Sequence, residues 1–195
     1  ASGKQESIKK IGITQIVEHP ALDGARNGFL KALEDAGYKD GENLKIEYQN
    51  AQGDQAVAQS IAESFVSDSK DLILAIATPT AQAAYNATKE IPVLITAVTD
   101  PIQAGLAKSL EKSETNVTGT SDATPIDKQF ALIRELLPES KKVGIVYNTS
   151  ELNSEVQVTQ AKVIAQKYGL ELVIKGVTSV NDLAQVLDSL LKEVD

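Results

Sequence analysis

The chain's 195 residues suffice for one large domain or two small ones, and 42% hydrophobic content is enough to bury real cores. Lys and Arg number 19 against 27 Asp and Glu, a formal charge of −8 that argues against nucleic acid or an anionic membrane surface as the main partner. The absence of Cys excludes disulfides, thiolate catalysis and Cys-ligated metals, and no apolar stretch approaches the roughly 18 residues needed to cross a bilayer.

With no Met, the visible start is not an initiator, which fits a trimmed signal segment and a cloning remnant equally. Ala1 to Ser7 is small, polar and aperiodic, and is expected to be a flexible leader or a frayed end. Ile11, Ile13 and Ile16-Val17 then form an apolar run too short for a helix, so a buried strand is expected. His19-Pro20 favours a turn, and Leu22, Ala25, Phe29, Leu30 and Leu33 recur at helical spacing up to Ala36-Gly37. Leu44, Ile46 and Tyr48 alternate as a half-buried strand; Gly53-Asp54 caps a helix carrying Val57, Ile61, Ala62, Phe65 and Val66. Leu72 to Ala77 is continuously apolar and reads as a central parallel strand, followed at once by Thr78-Pro79-Thr80 and a short Ala-rich helix to about Thr88. The next strand, Ile91 to Ile95, ends in Thr96-Ala97-Val98-Thr99-Asp100-Pro101. This alternation predicts right-handed crossovers around a mostly parallel sheet.

From Lys108 to Thr118 the composition turns polar, and Val117 to Asp122 reads as a short extended crossing segment. A helix is expected from near Pro125, with Phe130, Ile133, Leu136 and Leu137, up to Pro138. Lys141-Lys142-Val143-Gly144-Ile145 then repeats Lys9-Lys10-Ile11-Gly12-Ile13, and the same order of turn, long helix and second strand follows. The helix is expected over Val156 to Tyr168 and the strand over Leu170 to Ile174. Asn181 to Val194 carries Leu183, Val186, Leu187, Leu190 and Leu191 on one helical face. Two similar α/β lobes are therefore expected: a leader over 1–7, a first lobe over 8–115, a crossing or hinge segment over 116–124 and a partial second lobe over 125–195. A second lobe of two strands leaves one edge exposed, so the chain is expected to be a fragment or to need a further segment.

Catalytic groups are few. His19 is the one histidine, so a His-rich metal site is excluded and a Ser-His-Asp triad has only this ring to use. No G-x-S-x-G, Walker or G-x-G-x-x-G motif occurs. Binding has better support, because each strand-end turn carries small hydroxyl or amide residues with prolines: Gln15 with His19-Pro20, Thr78-Pro79-Thr80, Thr99-Asp100-Pro101 and Tyr147-Asn148-Thr149-Ser150. In parallel α/β sheets ligands sit at such carboxyl ends. Free N–H groups at the start of the helix after Thr78 suit a carboxylate, helped by the Thr78 and Thr80 hydroxyls, while Asp100 or Asp122 suits an ammonium group. Each has a plainer reading as well: Thr78 and Asn148 as caps, Asp100 as a turn residue, His19 as a loop-orienting side chain, Tyr147 as core.

With Ile11 to Asp23, Ile76-Ala77-Thr78-Pro79-Thr80-Ala81-Gln82, Ala97-Val98-Thr99-Asp100-Pro101 and Asn116 to Asp122 all in view, the chain resembles an ABC-transporter substrate-binding protein. It is most similar to the bacterial tryptophan/phenylalanine-type lipoproteins, from about Ile8 onward. The resemblance implies an α/β, type I periplasmic-binding-protein-like fold of two Rossmann-like lobes with parallel sheets, the second apparently truncated. It implies a monomeric, extracytoplasmic lipoprotein, without cofactor or catalytic activity, that closes on an amino acid such as tryptophan or phenylalanine and delivers it to an ABC permease. By the same analogy Thr78, Ala97 and Thr99 touch the ligand's carboxylate and amino group, and Asp122, Tyr147, Asn148, Ser150 and Asn153 contribute from the second lobe. Two rival readings remain at this stage: a sensor domain of the same fold in a transcriptional regulator, and a hydrolase using His19.

Overall fold

The computed structural model describes residues 8–195, so the leader expected over 1–7 lies outside the described residues. The chain divides into two compact units, meeting in sequence at Asp122 and Ala123.

The first unit is a five-stranded, wholly parallel sheet in the order β2-β1-β3-β4-β5. Its strands are β1 Lys9–Gln15, β2 Leu44–Asn50, β3 Leu72–Ile76, β4 Val93–Val98 and β5 Val117–Ser121, and its helices α1 Pro20–Asp35, α2 Gln55–Ser67 and α3 Thr78–Ala87. Both faces of the sheet are covered, which is what continuous apolar strands such as Leu72–Ile76 require. On one face Ile11, Ile13, Leu44, Leu74 and Ile76 meet Leu22, Phe29, Leu30 and Leu33 of α1. On the other Ile73, Ala75, Val93 and Ile95 meet Ala58, Ile61, Ala62 and Phe65 of α2 and Ala81 and Ala84 of α3. Gly12 lies under the Phe65 ring, where an added Cβ would come within 2.5 Å of the ring.

The helix ends follow local chemistry. The His19 ring nitrogen accepts from Ala21 N–H at 3.2 Å and Pro20 opens α1, while Gly37, at φ +87°, terminates it. Asp54 caps α2 by accepting from Ala56 and Val57 N–H at 2.7 and 3.0 Å. Several strand bounds differ from the sequence reading, and two of them shape the carboxyl edge. β1 ends at Gln15 instead of running to Val17. β4 runs on through Val98, with a register shift against β5 between Ile95 and Val98 and Ala97 at φ +54°. A bulge of this kind re-aims the backbone at a strand end, and apolar content does not report it.

At the opposite, amino-terminal edge Lys70 is buried, paired to Glu47 and Asp68, with its amine 5.5 Å from the centre of the Phe65 ring. The hydrogen bond from Lys70, with a second from Gln49, holds the Glu47 carboxyl below the ordinary glutamate value of 4.5. A depressed folded-state pKa contributes stability that is present above the unfolded value and lost as pH falls through the folded one. Urea unfolding should therefore show Glu47→Gln less stable than wild type at pH 7, with the difference closing as pH falls below 4.5.

The second unit contains α4 Ile126–Leu136, β6 Lys142–Asn148, α5 Leu152–Lys167, β7 Glu171–Val177, a 3-10 turn Val180–Asp182 and α6 Leu183–Leu190. β6 and β7 pair in parallel from Lys142↔Glu171 to Asn148↔Val177, so among the described residues the other edge of β6 is free. Ile126, Phe130, Ala161, Ala165 and Leu170 form its core, with Phe130 and Tyr168 stacked at 6.5 Å. The sequence repeat is also a structural one. Gly144 lies under Leu190 of α6, where a Cβ would come within 2.7 Å, as Gly12 lies under Phe65 of α2. Asp71 accepts from Lys10 N–H at 2.8 Å, and Asp195 from Lys142 N–H at 2.9 Å. α5 starts at Leu152, ahead of the expected Val156, which places Asn153 inside a helix. α6 is shorter than expected, and it leaves Leu183, Leu187 and Leu191 exposed.

Candidate functional site

In the first unit the register pairs Gln15 with Asn50 and Ile76, Ile76 with Thr96, and Val98 with Ser121. The carboxyl ends of all five strands therefore lie along one edge, where a parallel sheet presents its turns and helix starts.

At the β1 end Gln15 is fully buried and its amide is saturated. Its Nε2 donates to Val17 O and Asp23 Oδ1, both at 2.8 Å, and its Oε1 accepts from Arg26 Nη1 at 3.1 Å. Arg26 also lies 3.3 Å from Asp23 Oδ1 and stacks its guanidinium 4.3 Å from the centre of the Tyr48 ring. Gln15 is thus a hub that fixes the β1–α1 turn, and Asp23 and Arg26 are its partners. Sequence reasoning passed over both. The available signal was a charged pair at i and i+3 in the first two turns of α1, interrupting the face that carries Leu22 and Ala25.

At the β3 end Ala77 sits at φ +85°, a conformation rare and strained for a residue with a Cβ, and α3 begins with no side-chain cap. The Thr80 hydroxyl donates within the turn, 2.7 Å from Ile76 O and 2.9 Å from Ala77 O. Thr78 differs: it is 3% exposed and its hydroxyl bonds to nothing among the described residues. Buried hydroxyls are normally satisfied, so an orphan beside the free N–H groups of an uncapped helix start marks a place for an acceptor from outside the chain. The helix start is electropositive as well, which selects an anion. Pro79 occupies the second helical position, where its missing N–H costs no intrahelical bond.

At the β4 end Ala97 lies in the bulge, and Thr99 uses its carbonyl to accept from the Ser121 hydroxyl at 2.9 Å. Asp100 uses both carboxylate oxygens locally. Oδ1 accepts from Ile102 and Gln103 N–H at 3.0 and 2.9 Å, and Oδ2 from Gln103 Nε2 at 2.8 Å. Asp122, beyond β5, is exposed and donates its backbone N–H to Val98 O at 3.2 Å. His19 is exposed, and its ring hydrogen-bonds only to Ala21 N–H among the described residues. No group of three or more His, Asp or Glu among the described residues is placed to hold a metal ion.

In the second unit Asn148 ends β6 and organises the turn into α5. Its Oδ1 accepts from Ser150 N–H at 3.0 Å and Ser150 Oγ at 2.7 Å, and its Nδ2 donates to Glu151 at 2.9 Å. The Asn153 side-chain oxygen is likewise buried without a partner among the described residues, as are the Thr14 hydroxyl and the Asn116 side-chain oxygen. Tyr147 and Asn148 line a cavity of about 450 Å³ together with Phe130, Ile133, Gln157 and every residue from Val143 to Val146, which runs along the free edge of β6. The structure thus brings Gln15, Thr78, Thr80, Ala97 and Thr99 to one sheet edge, and Tyr147, Asn148, Ser150 and Asn153 to the end of another sheet.

The chain is 57% identical over 187 residues to the tyrosine-binding protein of Clostridioides difficile (strain R20291), a match covering 96% of this chain and 54% of that one. It is 41% identical to an ABC domain from Streptococcus pneumoniae solved in complex with L-Trp, with a TM-score of 0.92, covering 97% of this chain and 64% of that one. A leucine-binding protein from Thermotoga maritima, 14% identical with a TM-score of 0.70 over 96% of this chain and 54% of that one, shares the fold alone. The chain therefore spans between about half and two thirds of the length of these relatives. Residues 10–195 match the family profile described as ABC transporter substrate binding protein, and the chain belongs to that family.

Proposed function

We propose that the protein binds an aromatic L-amino acid and presents it to an ABC importer, with no chemistry performed on the ligand. The observation that carries this reading is the unpartnered, buried Thr78 hydroxyl at the uncapped start of α3. A ligand carboxylate there would accept from the Thr78 hydroxyl and from first-turn N–H groups. Ala97 and Thr99 flank it from the next strand, and Asp122, Tyr147, Asn148, Ser150 and Asn153 close over the ligand from the hinge and the second lobe. Closure of two lobes removes water from both faces of a small zwitterion, so a few polar contacts suffice for tight binding. The tyrosine and tryptophan named for the two similar proteins supply the side-chain class. On this reading the protein is an extracytoplasmic, surface-anchored monomer; no described helix is long and apolar enough to cross a membrane.

The test is calorimetry on the protein expressed from its full reading frame, with L-tyrosine, L-tryptophan, L-phenylalanine, L-leucine and a sugar. Heat with the aromatic amino acids is expected, and no heat with any amino acid overturns the reading. Thr78→Val supplies a control of opposite signs. Removing an orphan hydroxyl should raise the melting temperature of the ligand-free protein, while affinity falls roughly 5- to 30-fold through loss of one hydrogen bond of about 1–2 kcal/mol.

A further inference from the structure

The α-ammonium of an amino acid needs an anionic partner close to the group that holds its carboxylate, because both substituents share one carbon atom. The strands on either side of β3, about 4.8 Å from it, are β1 and β4. The acids at their carboxyl ends are Glu18 and Asp23 after β1 and Asp100 after β4. Asp100 has both oxygens committed to its own turn. Glu18 is exposed and makes no bond that would hold it in place.

Asp23 is different. Its inner oxygen, Oδ1, is held by the Gln15 amide at 2.8 Å and by Arg26 at 3.3 Å, and both anchors are themselves fixed: Gln15 by complete burial and Arg26 by stacking on Tyr48. Its other oxygen, Oδ2, bonds to nothing among the described residues, and the side chain is 26% exposed. A carboxylate with one oxygen locked and the other free and half-screened is a pre-organised acceptor for a cation. We infer that Asp23, held by Gln15 and Arg26, receives the ligand's α-ammonium through Oδ2 while the Thr78 end of α3 receives its carboxylate. The inference rests on the amino-acid reading above and deepens it, moving ammonium recognition from Asp100 or Asp122 to the first turn of α1.

The test uses the protein from its full reading frame, L-tyrosine, and 3-(4-hydroxyphenyl)propionate, which keeps the ring and carboxylate and lacks the ammonium. Asp23→Asn keeps an oxygen for Gln15 and removes the charge. It should weaken tyrosine roughly 10- to 100-fold, the range of a charge-assisted hydrogen bond, and leave the deaminated analogue's affinity unchanged. Asp23→Glu should recover part of the loss, and Glu18→Gln should bind tyrosine as wild type does. Circular dichroism melting of each variant checks folding; if Asp23→Asn does not fold, the Asp23→Glu comparison with the two ligands decides by the same criterion of a loss confined to tyrosine. Equal weakening of tyrosine and analogue would reduce Asp23 to a support of the turn and overturn the inference, as would unchanged tyrosine binding. A wild-type protein that binds no amino acid overturns the parent reading instead, and the inference with it.

Discussion

Replacing Phe65 with alanine is expected to lower the unfolding free energy by about 3–5 kcal/mol, among the largest effects of any truncation in the first unit. Phe65 is completely buried, it is the largest such side chain on α2, and its ring fills the space over β1 that Gly12 leaves open. The two positions should therefore be coupled. Gly12→Ala alone sets a methyl 2.5 Å from the ring and forces it aside, at a cost of roughly 1–3 kcal/mol. In the Phe65→Ala background the same methyl enters the cavity left by the ring, so the double variant should be more stable than the sum of the single losses by about 1 kcal/mol or more. Urea denaturation followed by far-ultraviolet circular dichroism measures all four proteins. Simple additivity would show that ring and glycine do not constrain each other.

Gly119→Ala is expected to be similarly severe, for a backbone reason. Gly119 lies on β5 at φ +150°, and a Cβ there would stand 2.0 Å from the carbonyl oxygen of Ile95 on β4. Backbone cannot swing aside as a flexible side-chain tip can, so β4 and β5 must part or the chain must change φ. Strain and lost pairing together amount to roughly 3 kcal/mol or more. Gly105→Ala is the matched comparison: its φ is +74°, but nothing lies within 4 Å of the added carbon. It should cost only about 1 kcal/mol, the conformational part alone. Because the same strand pair carries the bulge at Ala97 and the Ser121 contact to Thr99, Gly119→Ala should also weaken ligand affinity in calorimetry, while Gly105→Ala should leave it near wild type. Equal melting temperatures for the two variants would refute the clash argument.

The repeat of Lys-Lys-Ile/Val-Gly-Ile was the most informative feature of the chain. Each copy opens a strand whose glycine admits the second helix that follows, Phe65 in one unit and Leu190 in the other. A five-residue pattern reports this because close helix–strand approach has one local solution, the absence of a side chain. The parallel order of elements was legible for a related reason: Leu72 to Ile76 is apolar without alternation, and only a strand covered on both sides tolerates that. Asp54 announced a helix start because capping is a contact between residues two or three apart, whereas His19, read as a turn residue, proves to be the cap of α1.

What a side chain does at the site was not legible in the same way. Sequence placed Gln15, Thr78, Thr80 and Asp100 at the strand ends where the structure has them, yet they divide into two groups that residue type cannot distinguish, and Asp23 adds a third. Gln15, Thr80 and Asp100 turn out to be saturated by their own surroundings, Thr78 is left with an empty hydroxyl, and Asp23, unremarked among helix residues, keeps a free oxygen. Propensity, period and capping depend on neighbours in the chain, and the amino-acid sequence alone determined the order of strands and helices and the family, though not that the crossing segment expected over 116–124 would supply β5, the fifth strand of the first sheet. Whether a donor or acceptor is already satisfied depends on atoms brought together across strands, as when Arg26 reaches back to Gln15 or the β4 bulge turns Ala97, and only the tertiary structure decided it.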